Sequence, residues 1–171
     1  MFHDVEGFTF FLLVYNDEAA GYFSKEKLSW DNYNLACILV FPPFQRRGYG
    51  KILMAFSYEL SRRDGILGSP EKPLSDLGYA SYISFWSREL AIVFTTTSFK
   101  YKSHTFTLEL LQETTGFRAD DILIALKNMG IIEAQRKRDG AFVISVEAAD
   151  RWAKNHILDT TPLIDSKYLR I

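Results

Sequence analysis

The residues best suited to chemistry lie in one short segment. Between an apolar run that ends in Pro42-Pro43 and a helical pattern carried by Ile52, Leu53, Phe56 and Leu60 stands Gln45-Arg46-Arg47-Gly48-Tyr49-Gly50-Lys51. A glycine-rich turn from strand to helix presents backbone N–H groups, and the positive end of the helix dipole, to an anion. Gly48 and Gly50 let backbone approach such a ligand closely, while Arg46, Arg47 and Lys51 add positive charge beside it. Gln45 to Lys51 is therefore a candidate cradle for a pyrophosphate. Two glycines in such a turn are structural more often than phosphate-binding, so the spacing alone leaves both readings open.

Other chemistry-bearing residues are sparse. Cys37 is the single cysteine, which excludes an internal disulfide framework, and with only His3, His104 and His156 beside it no zinc cluster is recognisable. A reducing compartment is expected. The three histidines are far apart and form no acid–base set, so each is expected in a single polar or capping role. Cys37 itself has two readings, a nucleophilic thiolate or a small buried side chain on a core strand; its apolar neighbours disfavour the thiolate. Glu71 sits between Pro70 and Pro73, which would fix its backbone, though a lone loop glutamate is ordinarily a solvated charge. Arg136-Lys137-Arg138 could meet DNA phosphate, but a short basic turn is usually a solvated loop.

The elements that must position these residues follow from the pattern of apolar side chains. Phe8 to Tyr15 is an almost unbroken aromatic and aliphatic run, too short for a comfortable helix, and reads as a buried strand. Asn16-Asp17-Glu18 turns into Gly21-Tyr22-Phe23-Ser24, and a polar stretch leads to Tyr33 through Phe41, giving three strands in a meander. The helix after the glycine turn ends with Arg62, Arg63 and Gly65. A second long helix is expected over Tyr79 to Thr96, beginning near Ser81, with Tyr79 to Trp86 packed as core. Beyond Tyr101, helical patterns over Thr107 to Thr114 and Ala119 to Asn128 are joined through Gly116 and suggest a helix-turn-helix. Ile131 to Gln135 and Ala141 to Ser145 flank an Asp139-Gly140 hairpin signal, and Glu147 to Asn155 could close a small winged-helix appendage.

Bulk properties agree with this plan. A chain of 171 residues with 47% hydrophobic and 15% aromatic content can bury a real core. The 20 Lys+Arg against 21 Asp+Glu give a formal net charge of −1, so no global pull toward nucleic acid or anionic membrane exists. The apolar runs fall short of the roughly 20 residues needed to span a bilayer, and the N-terminus lacks a signal-peptide layout.

Three segments together, Asn34-Leu35-Ala36-Cys37-Ile38-Leu39, Pro42-Pro43-Phe44 with the glycine turn, and Ala55-Phe56-Ser57-Tyr58-Glu59-Leu60, closely resemble the core of the MYST family of histone acetyltransferases. Gly68-Ser69-Pro70-Glu71-Lys72-Pro73-Leu74-Ser75-Asp76-Leu77-Gly78, Ser81-Tyr82-Ile83-Ser84-Phe85-Trp86, Gly21-Tyr22-Phe23-Ser24-Lys25-Glu26, and Asp4-Val5-Glu6 with Phe8 are similar to it as well. The resemblance implies an α/β (α+β) fold related to the GNAT acetyltransferases. An acetyl-CoA-binding core with a mainly antiparallel sheet is expected over residues 1–100, and a helix-turn-helix or winged-helix-like region of the same catalytic unit over 101–171.

By the same resemblance acetyl-CoA, as co-substrate, lies along the third strand. Ile38, Leu39 and Val40 would contact its acetyl and pantetheine portion through backbone. Gln45, Arg46, Arg47, Gly48, Tyr49, Gly50 and Lys51 would hold the pyrophosphate, with polar contacts from Ser75 and Ser84. Glu71 matches the family's general base, which the chemistry needs because a lysine amine with a pKa near ~10.4 is protonated at neutral pH. Cys37 matches a cysteine proposed as an acetyl carrier, although direct transfer in a ternary complex is the favoured route, with Cys37 positional. No metal is expected. The implied substrate is a lysine of a histone H4 or H3 tail, the implied partners are chromatin-complex subunits, and the implied location is the nucleus.

Members of that family normally carry, just upstream, a zinc-binding finger and a segment whose lysine becomes acetylated in the active site. Neither occurs in this sequence, so an edge of the sheet and part of the peptide-binding side are expected to be missing or supplied by something else. Two further readings stand beside the enzyme: a non-catalytic acetyl-CoA-binding or complex-assembly fragment, and a nucleic-acid-binding module built on the winged tail.

Overall fold

The computed structural model describes residues 5–100, 106–132, 146–156, 159–165, 167, 169 and 170. Three strands, β1 (Phe8–Tyr15), β2 (Glu18–Glu26) and β3 (Cys37–Val40), form an antiparallel sheet in the order β1-β2-β3. A 3-10 turn at Pro42–Phe44 precedes helix α1 (Tyr49–Arg63), and α2 (Asp76–Lys100), α3 (Leu108–Thr115), α4 (Ala119–Asn128) and α5 (Val146–Asn155) follow. The α/β class with a small antiparallel sheet is that expected from the sequence. The chain divides into two compact units, one of residues 1–77 with 162–171 and one of residues 78–161.

In the first unit β1 and β2 are joined by Asn16 and Asp17, both with positive φ (51° and 62°), the backbone that a two-residue hairpin turn demands and that Asn and Asp tolerate. The ladder sets Phe11 opposite Phe23 and Phe23 opposite Ile38. Alternation therefore turns Phe11, Phe23 and Ile38 to one side, with Leu13 and Val40 two residues on. That side packs with Leu53, Phe56 and Leu60 of α1, whose three- and four-residue spacing lays them on one stripe. Phe11 stacks on Phe23 at 4.7 Å between centroids, and Phe56 meets both rings edge-on. At the end of α1, nearly buried Glu59 accepts from Arg62 (2.7 Å) and Arg63 (3.1 Å).

The third strand is shorter than the expected run from Tyr33 to Phe41. Residues before Cys37 leave the sheet because Leu35 makes a parallel bridge with Pro70 instead, and the chain regains β2 at Ala36, whose N–H donates to Ser24 O (2.7 Å). The second long helix begins at Asp76, ahead of Ser81, and runs to Lys100.

In the second unit Tyr82, Phe85, Trp86, Leu90 and Phe94 recur at three and four residues along α2 and are all nearly inaccessible, whereas Tyr79 is exposed. Phe85 meets Phe117 at a tilt of 52° and Phe94 meets Phe106 edge-on. Helix α3 starts with the Thr107 hydroxyl accepting from Leu110 N–H (3.2 Å) and ends at Gly116 with φ 74°. Gly116 thus separates α3 from α4 as the helix-turn-helix pattern requires. Burial first, and then the Asp121 carboxylate, holds the Tyr82 hydroxyl above its ordinary range. Arg88 donates to the carbonyls of Asp159 (2.9 Å) and Thr161 (2.6 Å). Most of the expected hairpin, 133–145 with its basic Arg136-Lys137-Arg138 tip, and His3 and His104 lie outside the described residues. His156 stacks on Trp152 at 4.0 Å and shares a hydrogen bond with its carbonyl, a local structural role.

Candidate functional site

The first unit brings β3, the glycine turn and the Glu71 loop together. The turn is built from its backbone outward. Phe41 N–H donates to Ala20 O (2.9 Å), Phe44 N–H to Phe41 O (2.9 Å), and the Gln45 side-chain amide to Val40 O (2.9 Å). Gln45 is thus a brace that folds the turn back on the end of β3. Arg46 (φ 61°) and Gly48 (φ 84°) then reverse the chain through left-handed conformations, and Gly48 starts α1.

Around Gly48 the space is open: a Cβ added there would meet nothing within 4 Å. The carbonyl of Gly48 accepts from Lys51 (3.0 Å) and Ile52 (3.3 Å). The N–H groups of Tyr49 and Gly50, at the first two helical positions, face outward from the helix start. No acidic residue lies in that first turn, and Arg46 and Arg47 are exposed just before it. The Arg47 guanidinium sits 6.0 Å above the Phe44 ring. Open backbone donors, a fifteen-residue helix dipole and three cations make a cradle that fits a phosphate or diphosphate.

Strand β3 leads into this cradle with β2 on one edge and, among the described residues, no strand on the other. Backbone groups along that free edge can meet an extended ligand. Ile38 and Val40 turn their side chains into the core, while Leu39 is 43% exposed. Cys37 differs from expectation: it is exposed rather than buried. Its position opposite Ser24 and two residues from Leu39 puts it on the face away from α1. Its N–H is held by the Ser24 hydroxyl (3.2 Å). Its adjacent apolar neighbour Ile38 turns to the other side of the pleat, and Leu39 on its own side is itself exposed, so an apolar run does not imply burial of Cys37.

Glu71 is also exposed, at the point where its loop emerges after buried Gly68, Ser69 and Pro70. Its backbone is fixed without being covered: Asn34 N–H donates to Ser69 O (2.9 Å) and Glu71 N–H to Leu35 O (2.8 Å). The carboxylate therefore projects from a loop bonded to the segment that becomes β3 two residues later. Ser75 is exposed immediately before α2, and Ser84 is exposed on α2 within the second unit. Among the described residues no group of three or more His, Cys, Asp or Glu side chains is placed to hold a metal ion, and no helix is long and apolar enough to cross a membrane.

A family model described as MOZ/SAS family matches residues 1–169. The chain belongs to the MOZ/SAS family. This MOZ/SAS chain is 42% identical to "Histone acetyltransferase MOF" of Drosophila melanogaster, over 99% of its own length and 21% of the relative's. It is 44% identical to "Putative MYST-like histone acetyltransferase 1" of Oryza sativa subsp. japonica, over 90% of its length and 34% of the relative's. It is 43% identical to "Histone acetyltransferase KAT6B" of Homo sapiens, over 84% of its length and 7% of the relative's. The chain spans about a third or less of the length of these curated relatives. The MYST resemblance read from the three central segments is borne out by these matches.

Sequence reasoning missed the side chains that hold the site rather than form it. The motif puts the Gln45 amide in the anion cradle, whereas in the structure it donates to Val40 O. The Ser24 hydroxyl beneath Cys37 and the Asn34–Ser69 bond that tethers the Glu71 loop join residues far apart in the chain, and no local pattern announces such pairs.

Proposed function

We propose that this MOZ/SAS chain is the acetyl-CoA-binding and catalytic part of a protein lysine acetyltransferase acting on histone tails of H4 or H3 in the nucleus. The single observation that supports this best is the joint tethering of its parts. The same short stretch that carries Glu71 by a backbone bond at Leu35 continues through β3 into the glycine cradle. A diphosphate over Gly48, an extended ligand arm along β3 and a carboxylate beside the start of that strand fit one bisubstrate reaction.

In that reading the backbone of Ile38, Leu39 and Val40 meets the acetyl and pantetheine arm of acetyl-CoA. Residues Arg46 to Lys51 neutralise its diphosphate, with Gln45 bracing the turn. Ser75 supplies a polar contact to the same co-substrate. Glu71 takes the proton of the substrate ε-ammonium, freeing the lone pair that attacks the thioester carbonyl; the N–C bond forms, the C–S bond breaks, and the departing CoA sulfur takes up the second nitrogen proton to leave amide and free CoA thiol. Exposure of Glu71 suits this role, since a base for a protein lysine must be reachable from outside. Transfer is direct, with Cys37 positional. Chromatin-complex subunits are the expected partners.

The test is acetylation of H4 and H3 peptides by the purified chain, followed by mass spectrometry, for wild type and Glu71→Gln. The variant should lose roughly 100-fold in turnover at neutral pH and recover part of it as pH approaches ~10.4, where the lysine deprotonates unaided. Affinity for acetyl-CoA, read by calorimetry, should stay within about twofold. Full turnover by Glu71→Gln at every pH would remove Glu71 from the chemistry. Acetyl-CoA binding by the wild type without any peptide acetylation would support the binding or assembly reading instead.

A further inference from the structure

Glu71 owes its position to a loop gripped from two sides. Asn34 is wholly buried, and both polar atoms of its carboxamide lack a hydrogen-bond partner among the described residues. Leaving such a group unpaired is costly, and an apolar side chain of similar size would avoid the cost. Core stability therefore does not account for it. What the amide does touch is the loop: a Cβ on Gly68 would overlap Asn34 Nδ2 outright, and would come within 3.0 Å of both Ser61 Oγ and Tyr58 Cδ1 on α1. Three side chains thus close on the Gly68 backbone, Asn34 from the segment before β3 and Tyr58 and Ser61 from the helix. Three residues later Glu71 emerges, after the Asn34–Ser69 and Leu35–Glu71 backbone bonds.

The geometry points to Asn34 and Gly68 as positioning residues for Glu71, the Asn34 amide setting through its contact with Gly68 how far the 69–71 loop stands from the strand and hence where the base carboxylate lies. This rests on the reading of Glu71 as the base. A methyl group on Gly68 has no free volume, because the Asn34, Ser61 and Tyr58 side chains, all buried, confine it; either the Asn34 amide or the loop must give, and movement of the loop lengthens or breaks the Glu71–Leu35 bond. Shrinking Asn34 has the opposite effect and lets the loop sink.

The experiment uses the full chain in four versions, wild type, Gly68→Ala, Asn34→Ala and the double variant, with two readouts. One is steady-state acetylation of an H4 peptide. The other is amide hydrogen exchange at Glu71, which needs no turnover. Gly68→Ala should lower kcat about tenfold while the KM for acetyl-CoA stays within twofold, since the glycine cradle is untouched, and Glu71 N–H should exchange at least tenfold faster. Adding Asn34→Ala should return part of both, because it empties the space the new methyl needs. Asn34→Ala alone, which adds no bulk and should fold even if Gly68→Ala does not, should show a smaller loss of kcat and faster Glu71 exchange. In a Glu71→Gln background Gly68→Ala should cost no further turnover, since it acts through the carboxylate.

Unchanged Glu71 exchange in both single variants would overturn the inference, as would an equal further loss of turnover in the Glu71→Gln background. Full turnover by Glu71→Gln, with exchange at Glu71 still rising in Gly68→Ala, would instead sink the base reading and leave the loop contact standing.

Discussion

Leu12, Tyr22 and Leu39 stand in one cross-strand row and Phe11, Phe23 and Ile38 in the next, one residue apart, yet the two rows have opposite surroundings. The inner row is sealed against Leu53, Phe56 and Leu60. The outer row leaves Leu12 61% and Leu39 43% accessible, with Phe10 and Val14 beside them more than half exposed. Both faces are apolar, so hydrophobicity does not separate them and only the pleat does. The inner face carries stability. The outer face carries exposed Cys37, and among the described residues β3 has no strand on its other edge.

If that division is right, substitutions on the two faces should differ in kind, and the largest effect belongs to the inner row. Phe23 is fully buried and contacts two other rings. Phe23→Ala should cost about 3–5 kcal/mol, read as a lowered urea midpoint with unchanged m-value. A loss below about 1 kcal/mol would mean the sheet does not rest on α1. Gly21 tests the join between the strands. A Cβ there would lie 2.5 Å from Leu39 O and 3.1 Å from Val40 Cα, backbone atoms that cannot swing aside. Gly21→Ala should therefore push β3 away from β2 at a cost of about 1–3 kcal/mol, and should weaken acetyl-CoA binding because β3 moves. Calorimetric affinity equal to wild type would separate β3 from the ligand.

What was legible in the sequence follows the same line. Phe8 to Tyr15, the glycine turn and the spacing of Leu53, Phe56 and Leu60 announce local structure, and strand, turn and helix stand where those patterns put them; the strand is not the buried one expected, however, because only its Phe11 and Leu13 side packs against α1 while Phe10, Leu12, Val14 and Tyr15 are exposed. Helix α4 matches its expected Ala119 to Asn128 bounds, and Gly116 lies at the break before it. The third strand is shorter than its pattern suggests because no glycine or proline interrupts Tyr33 to Phe41 to mark where pairing starts or stops. What withdraws the residues before Cys37 is a bridge from Leu35 to Pro70, thirty-five residues away. Glu71 is picked out by resemblance and its flanking prolines, and its exposure is that of an ordinary loop glutamate. The Leu35 carbonyl that holds its N–H was not readable, because that bond is a product of the same distant pairing. Cys37 was read as buried for a similar reason: an apolar run on both faces of a strand hides which face is covered.

The smallest effect is expected where that misreading occurred. Cys37→Ala removes an exposed sulfur, so no cavity opens and stability should change by less than about 0.5 kcal/mol. A buried cysteine would have cost more, and the melting curve therefore checks the face assignment directly. Exposure withdraws the burial objection to a reactive thiolate, so direct transfer now rests on alignment alone: a lysine amine, a base on a fixed loop and a thioester along β3 can meet in one complex without an intermediate. Cys37→Ala should then keep turnover within about threefold of wild type at saturating acetyl-CoA, with initial rates that intersect, rather than run parallel, when peptide and acetyl-CoA are varied together. Should the variant be folded, bind acetyl-CoA normally and yet be inactive, and should wild type accumulate acetyl on Cys37 Sγ at the catalytic rate, the thiol is the carrier. The outer face would then be the one on which the reaction runs in two steps.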